Sequence, residues 1–412
     1  MEVVYTHCAG LDVHKKTVTA CVIIPKEKGG IKREIRTFET HTNSLLNMLD
    51  WLLSFGCTHV AMESTGEYWR PVFNILETSV EVMLVNARHV KNVPGRKTDV
   101  KDSQWLAELL QHGLLRPSFI PPKPQRDLRD LIRHRQNFVR ERSNLVNRIQ
   151  KVLEAANIKL ASVATDIMGV SGRAMLKAII AGDKNPEQMA QLACGQLRKK
   201  QEQLTQALIG RVQPHHCFIL AQLLSQVESL DEVIQQFDSQ IEEYCHPFEQ
   251  TVELLDTIPG VARKAAEVIV CEIGTDMSRF NSAAHLAAWA GLAPGNCESA
   301  GKRLSSFSRQ GNRSLKTILV QAAWAASRTK TYLAAQFRRL SARRGAKRAA
   351  VAVAHSILVI AYHLISRQTP YSELGADYFE RHEKPHLKKK RLITQLEKLG
   401  YQVNLTEIAT AS

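Results

Sequence analysis

Four carboxylates stand where acids need an explanation. Asp12 closes the apolar run Ala9-Gly10-Leu11-Asp12-Val13, and Glu63 follows a second one in Ala61-Met62-Glu63-Ser64. Asp99 and Asp102, in Lys97-Thr98-Asp99-Val100-Lys101-Asp102, are three apart and share a face if a helix begins there. Carboxylate oxygens are hard ligands suited to Mg²⁺, with Mn²⁺ as the second choice. Two such ions can stabilise the attacking and leaving oxygens of a phosphodiester, which is anionic and has a poor leaving group. Singly, ordinary roles suffice: Asp12 caps a turn, Glu63 and Asp99 cap helices, and Asp102 is a surface charge. Together a metal site is the better explanation, because strand interiors are depleted of unpaired acids. His14 and Lys15 either touch a phosphate or form the turn after Asp12.

A second candidate is the small-residue segment from Gly291 to Arg303, which contains Glu298-Ser299-Ala300-Gly301-Lys302. A serine in a glycine-flanked, cation-rich loop can approach a phosphate closely and serve as a nucleophile. From spacing alone, a plain Ser-Gly turn with a solvent-facing lysine is the simpler account. Ser305, Ser306 and Ser308 are alternative hydroxyls. Arg303, Arg309 and Arg313, with Lys302, are either phosphate clamps or a solvated face. From Ser299 to Ser372 there are fourteen Lys and Arg and no Asp or Glu, which favours the clamps.

Leu255–Ile269 resembles a helix-hairpin-helix element whose turn, Pro259-Gly260-Val261-Ala262, would present backbone N–H groups to a phosphate. Ala262 stands where that element has a second glycine. Nucleic-acid contact at Gly260 and simple helix packing remain equal readings.

The elements that must position these residues follow from periodicity. Residues 3–13, 17–24 and 31–40 read as strands, 44–54 as a helix, 59–62 as a strand, 67–77 as a helix and 80–86 as a strand. The order β-β-β-α-β-α-β-α matches an α/β ribonuclease-H-like domain, in which the first and fourth strands are neighbours and would bring Asp12 beside Glu63. Pro117, Pro121, Pro122 and Pro124 mark its end. Between about 125 and 243 a polar helical stretch carries Leu128, Leu131, Ile132, Val139, Leu145, Ile149 and Val152. It reads as a helical hairpin or coiled coil that needs a partner surface. A mainly α-helical region follows His246-Pro247. The expected layout is therefore a catalytic domain over 1–120, a helical assembly region over 121–246, a C-terminal domain with basic helices over 247–370, and a tail over 371–412.

The 412 residues carry 55 Lys and Arg against 40 Asp and Glu, a net charge of +15, with 44% hydrophobic residues. That apolar content excludes a disordered or collagen-like chain, and the charge points to a polyanionic partner. Eight cysteines without a CxxC pair support neither a zinc knuckle nor a disulfide framework. No signal peptide is expected at the N-terminus. The apolar run 349–365 reads as a buried helix rather than a membrane span.

Gly10-Leu11-Asp12-Val13-His14-Lys15, Met62-Glu63-Ser64-Thr65-Gly66, Asn86-Ala87-Arg88, Lys97 to Asp102, Ile258-Pro259-Gly260 and Glu298 to Lys302 occur in that order. In this ordered set the chain resembles the transposases of the insertion-sequence one-ten family, its eleven-eleven subgroup included, over about residues 5–330. The resemblance implies a RuvC-like domain whose tetrad Asp12, Glu63, Asp99 and Asp102 binds Mg²⁺. It implies a helical region used to form a dimer or tetramer, and a C-terminal domain whose serine, here Ser299, forms a covalent phosphoserine with DNA. It further implies double-stranded DNA at element ends and target as substrate, a structured non-coding RNA as guide, and a place in the prokaryotic cytoplasm at the nucleoid, with no membrane partner. Two other readings stand beside this recombinase. One is a RuvC-like Holliday-junction or structure-selective nuclease that uses only the carboxylates and water, and the other is a non-catalytic nucleic-acid-binding protein.

Overall fold

Apolar runs build β1 (Cys8–Val13) and β2 (Thr17–Pro25), and the mostly exposed, charged β3 (Ile31–Glu39) follows and pairs with β2. The fold is taken from a computed structural model that describes residues 2–26, 30–64, 66–87, 90, 102–293, 297–299, 302–305, 310–382 and 385–404, with the backbone alone for 297–299, 302–305, 385, 387, 388, 390 and 391. Helix α1 (Thr42–Ser54), β4 (His59–Glu63), α2 (Trp69–Leu76), β5 (Glu81–Val85) and α3 (Asp102–Gln111) follow. The five strands form one mixed sheet in the order β3-β2-β1-β4-β5. β1 is antiparallel to β2 and parallel to β4.

Side-chain alternation divides the apolar residues between two faces. Ala9, Leu11, Val13, Val60 and Met62 share a core with Leu45, Met48 and Leu52 of α1 and Val72 and Leu76 of α2. Cys8, Ala61 and Val85 share the opposite core with Leu106, Leu109 and Leu110 of α3. The strand expected from residue 3 begins at Cys8. The preceding residues instead reach α3, where Val4 and Tyr5 donate their N–H groups to the Gln111 carbonyl (2.8 and 3.2 Å).

Gly10 sits on the α3 face, and a Cβ there would lie 2.2 Å from the Ser103 carbonyl oxygen and 2.4 Å from the Ala107 nitrogen. Gly10→Ala must push α3 off the sheet, at a cost of about 1–3 kcal/mol typical of an overpacked core. A thermal melt should show the protein several degrees less stable. An unchanged melting temperature would mean that α3 does not press on β1.

The chain divides into two compact units, 1–120 and 121–412. The second is helical. Its longest helices, α4 (Lys123–Ala155) and α6 (Pro214–Cys245), run antiparallel, as the ion pairs Arg135–Asp238 and Arg142–Asp231 require. At one end of this hairpin Leu145, Ile149 and Leu153 pack with Leu220, Leu224 and Val227, with Met175 and Ile179 of α5 (Val170–Ala181), and with shorter helices up to Leu208. The apolar stripe of α4 is thus largely buried by its own chain, although Val139 stays exposed. The boundaries expected near 246 and 370 fall inside this unit. Leu128 and Ile132 share one core with Ile241 and Cys245 and with Val268 and Cys271 further along the chain. Beyond α6 come α7 (Glu249–Asp256), α8 (Arg263–Ile273), α9 (Ala283–Trp289), the strands β6 (Cys297–Ser299) and β7 (Lys302–Ser305), and then α10 (Arg313–Ala326), α11 (Tyr332–Arg344) and α12 (Ala346–Arg367). By length and composition α12 is apolar enough to cross a membrane, yet it packs against α7, α9, α10 and α11. The seven cysteines with described side chains are free thiols.

Candidate functional site

In the first unit the acids are positioned by strand register. β1 and β4 pair Leu11 with Met62, so Asp12 and Glu63 are the next residues on two parallel neighbours, about 4.8 Å apart in the pairing direction. Both lie two residues beyond positions that face α3, Gly10 and Ala61, and so share that face. α3 runs antiparallel to β1. Its Ser103 lies over Gly10, its Ala107 carbonyl accepts from the Cys8 thiol (3.7 Å), and its Gln111 end meets Val4. Asp102, its first residue, is therefore at the Asp12 end.

The Nε2 of His14 lies 3.2 Å from Oδ2 of Asp12. Asp12 and Glu63 are half-buried and Asp102 is exposed. Among the described residues no three His, Cys, Asp or Glu side chains form a ready metal-binding group. Asp99 lies outside the described residues. The donors that do lie together are hard oxygens and fit Mg²⁺ or Mn²⁺ in kind.

In the second unit Ser299 ends β6 and pairs with Lys302 of the antiparallel β7, with Glu298 opposite Arg303. Ser306 and Arg309 lie outside the described residues. Both feet of this hairpin are held. A Cβ on Gly311 would fall 2.3 Å from the Gly291 nitrogen, so only glycine lets the two ends touch. The Lys316 ammonium donates to the Gly291 carbonyl (3.1 Å). Asn312 caps α10 by accepting from the Leu315 N–H (3.0 Å) and donates its amide to Glu272 Oε2 (2.5 Å).

Glu272 is fully buried at the end of α8. Arg133 of α4 grips it through both oxygens (2.9 Å each), and Arg129 Nε lies 3.3 Å from Oε2. Arg129 also donates to the Cys271 and Glu272 carbonyls (3.0 and 2.7 Å), and Gln125 to those of Val270 and Cys271 (3.3 and 3.0 Å). The last carbonyls of α8 are thus satisfied by α4. Burial alone would raise the Glu272 pKa, but Arg133, Arg129 and Asn312 together hold it below the ordinary carboxylate range.

Gly260 adopts φ +87°, and a Cβ there would meet the Ala322 carbonyl at 2.4 Å and the Ala326 nitrogen at 2.6 Å. Its close approach is to α10 of its own chain. Arg313 is exposed at the start of α10.

Sequence reasoning missed Glu272 and Asn312. One signal was available, an acid inside the apolar helix Val268-Ile269-Val270-Cys271-Glu272-Ile273.

Residues 9–158 match a transposase family model labelled DEDD and IS110, and residues 252–338 match the model for transposases of the IS116/IS110/IS902 family. The chain is 26% identical to the transposase for insertion sequence element IS1111A of Coxiella burnetii, over 77% of this chain and 80% of that protein. It is 31% identical to the pilin gene-inverting protein of Moraxella bovis, over 34% of this chain and 45% of the relative. It is also similar to a 44.8 kDa protein of insertion element IS116 from Streptomyces clavuligerus, 24% identical over 59% of this chain and 67% of the other.

Proposed function

The chain belongs to the IS110 family of transposases, and from that premise we propose that it cuts and rejoins DNA during transposition through a carboxylate-held metal and a serine nucleophile. The observation that carries the reading is the β1–β4 register, which makes Asp12 and Glu63 neighbours on the face closed by α3. The strand order β3-β2-β1-β4-β5 supports a ribonuclease-H-like, RuvC-like unit. Asp12, Glu63, Asp99 and Asp102 would hold Mg²⁺, which when bound neutralises charge on the reacting phosphodiester.

The chain's own step belongs to Ser299. Its Oγ forms a bond to phosphorus as the bond from phosphorus to the leaving strand oxygen breaks. The serine proton passes to a base, and the leaving oxygen takes up a proton. The resulting phosphoserine keeps the energy of the broken ester, so a strand hydroxyl can rejoin it by the reverse attack. Lys302, Arg303, Arg309 and Arg313 neutralise flanking phosphates. A guide RNA would supply sequence choice through base pairing, and the helical unit would support a homo-oligomer.

The test is a nicked DNA substrate whose leaving strand diffuses away. The parent protein should form a protein–DNA adduct that survives denaturant, and so should Ser305→Ala, whereas Ser299→Ala should form none. An adduct in Ser299→Ala would remove the role from this serine, and its absence in every variant would favour hydrolysis by water.

A further inference from the structure

The helical unit contains a cleft of about 1020 Å³ whose lining shares only Arg313 with the recombination chemistry above. One wall is the middle of α4, the other the start of α10, and Lys264 of α8 and Trp289 of α9 also line it. Its charged groups fall into two classes. Arg133 is committed to Glu272, while Arg135 and Lys264 both bind Asp238 (2.6 Å each), so these three are held in place. Arg140 and Arg313 are different. Both are exposed, Arg140 bonds only Asn137 Oδ1 (3.3 Å), and neither has an acidic partner among the described residues. Glu267, the acid on the lining, is paired with Arg263 (3.2 Å). The cleft therefore keeps a net positive charge that its own wall does not neutralise.

The lining also carries amide donors on Gln136 and Gln321, while the Ser314 hydroxyl donates to Gln136 Oε1 (2.8 Å) and holds that amide in place. Trp289 adds a half-buried indole packed on the buried ring of Phe280 (centroids 5.6 Å apart, 58° tilt). Unpaired cations spaced along a groove and a braced aromatic surface form the pattern that holds a single strand, with phosphates on the cations and an unstacked base on the ring. A duplex keeps its bases stacked on one another and has no use for the indole.

We infer that this cleft is a binding site for single-stranded nucleic acid, with Arg140 and Arg313 on successive phosphates and Trp289 as the stacking platform. The inference takes the ligand's class from the proposed function but requires neither metal nor Ser299. The site lies directly beyond Gly311, where the Ser299 hairpin returns to the helical body, so it would hold a strand that has been separated from its complement.

The experiment uses the full chain in EDTA, where no strand transfer interferes. Anisotropy of a fluorescein-labelled single-stranded 20-mer of mixed sequence is followed against salt, beside the blunt duplex of the same sequence. Arg140→Gln with Arg313→Gln should lower the slope of log affinity against log salt by about 1.4 for the single strand, because each lost phosphate contact is worth about 0.7. Trp289→Leu should weaken the single strand by at least about fivefold, within the range for one lost base stack, while Trp289→Phe restores most of it. Arg140→Lys with Arg313→Lys should bind as the parent does. Melting curves identify any variant that has lost its fold, and the Phe and Lys replacements keep the test decisive in that case.

The inference is overturned if the double Gln variant keeps the parental affinity and slope. It is equally overturned if Leu and Phe at 289 bind alike, or if the duplex loses as much affinity as the single strand. Failure of the adduct experiment leaves these results untouched, and weakened single-strand binding by Trp289→Leu with intact adduct formation would leave the transposase reading in place.

Discussion

Asp12→Asn is expected to reduce recombination by about a thousandfold or more while leaving DNA binding in EDTA near the parental level. Asparagine keeps the size of the side chain and its place at the end of β1, so neither of the two apolar cores of the first unit is disturbed. What is lost is one anionic oxygen donor beside Glu63. Metal stabilisation of phosphoryl-transfer charge is worth several kcal/mol, and about 4 kcal/mol corresponds to about three powers of ten in rate. Glu34→Gln is the matched control, because it removes one negative charge from the exposed edge strand β3, where Glu34 pairs with Lys32 (3.2 Å). It should recombine normally. Excision by Asp12→Asn within tenfold of the parent would sink the carboxylate assignment.

Glu272→Leu is expected to cost about 3–5 kcal/mol of stability, because it leaves Arg129 and Arg133 against a buried site without their counter-charge. It also frees Asn312, so the outgoing foot of the Ser299 hairpin loses one of its ties. Chemical denaturation should show the loss directly. The same group predicts an acid limb. Because the folded-state pKa of Glu272 lies below its ordinary value of 4.5, its stabilisation is fully present above about pH 4.5 and is lost as the pH falls toward the folded-state value. Asp231 and Asp238 shift in the same direction, since the hydrogen bonds from Arg142 and Arg173, and from Arg135 and Lys264, outweigh the upward push of burial. Melting temperatures should therefore fall below about pH 4.5, and Glu272→Gln should flatten part of that fall. An identical acid limb in Glu272→Gln would show that the carboxylate is not held as described.

These two residues differ in how far the sequence exposes them. Asp12 was legible because an acid at the end of an apolar strand breaks a local pattern, and strand alternation places it relative to Gly10 without further information. The first unit's strands and helices were legible for the same reason, with the leading residues 3–7 as the exception. They are β-branched and apolar like a strand, but the hydrogen-bond partner of Val4 and Tyr5 is the far end of α3. The stripe on α4 shows a different limit. Its spacing demands a covering surface, yet the cover is α6 and the short helices of the same chain, which no local pattern identifies. Gly260 was recognised as a special backbone position, but the neighbour requiring it, α10, begins more than fifty residues later.

The sequence by itself determined the identities and local geometry of the candidate groups: acids at strand ends, glycines where no side chain fits, a serine among small residues, and a basic stretch from 299 to 372. Periodicity of two or 3.6 residues is a short-range property and is written in consecutive residues. The order of elements already led to the expectation that the first and fourth strands are neighbours, and the tertiary structure supplied the register of that pair, Leu11 opposite Met62, and turned α3 back to bring Asp102 to the same end. It alone placed Arg133, 139 residues from Glu272, and Asn312, 40 residues away, around one buried carboxylate. Such neighbours are chosen by burying apolar faces and compensating buried charge, and those forces act between segments that the chain order keeps far apart.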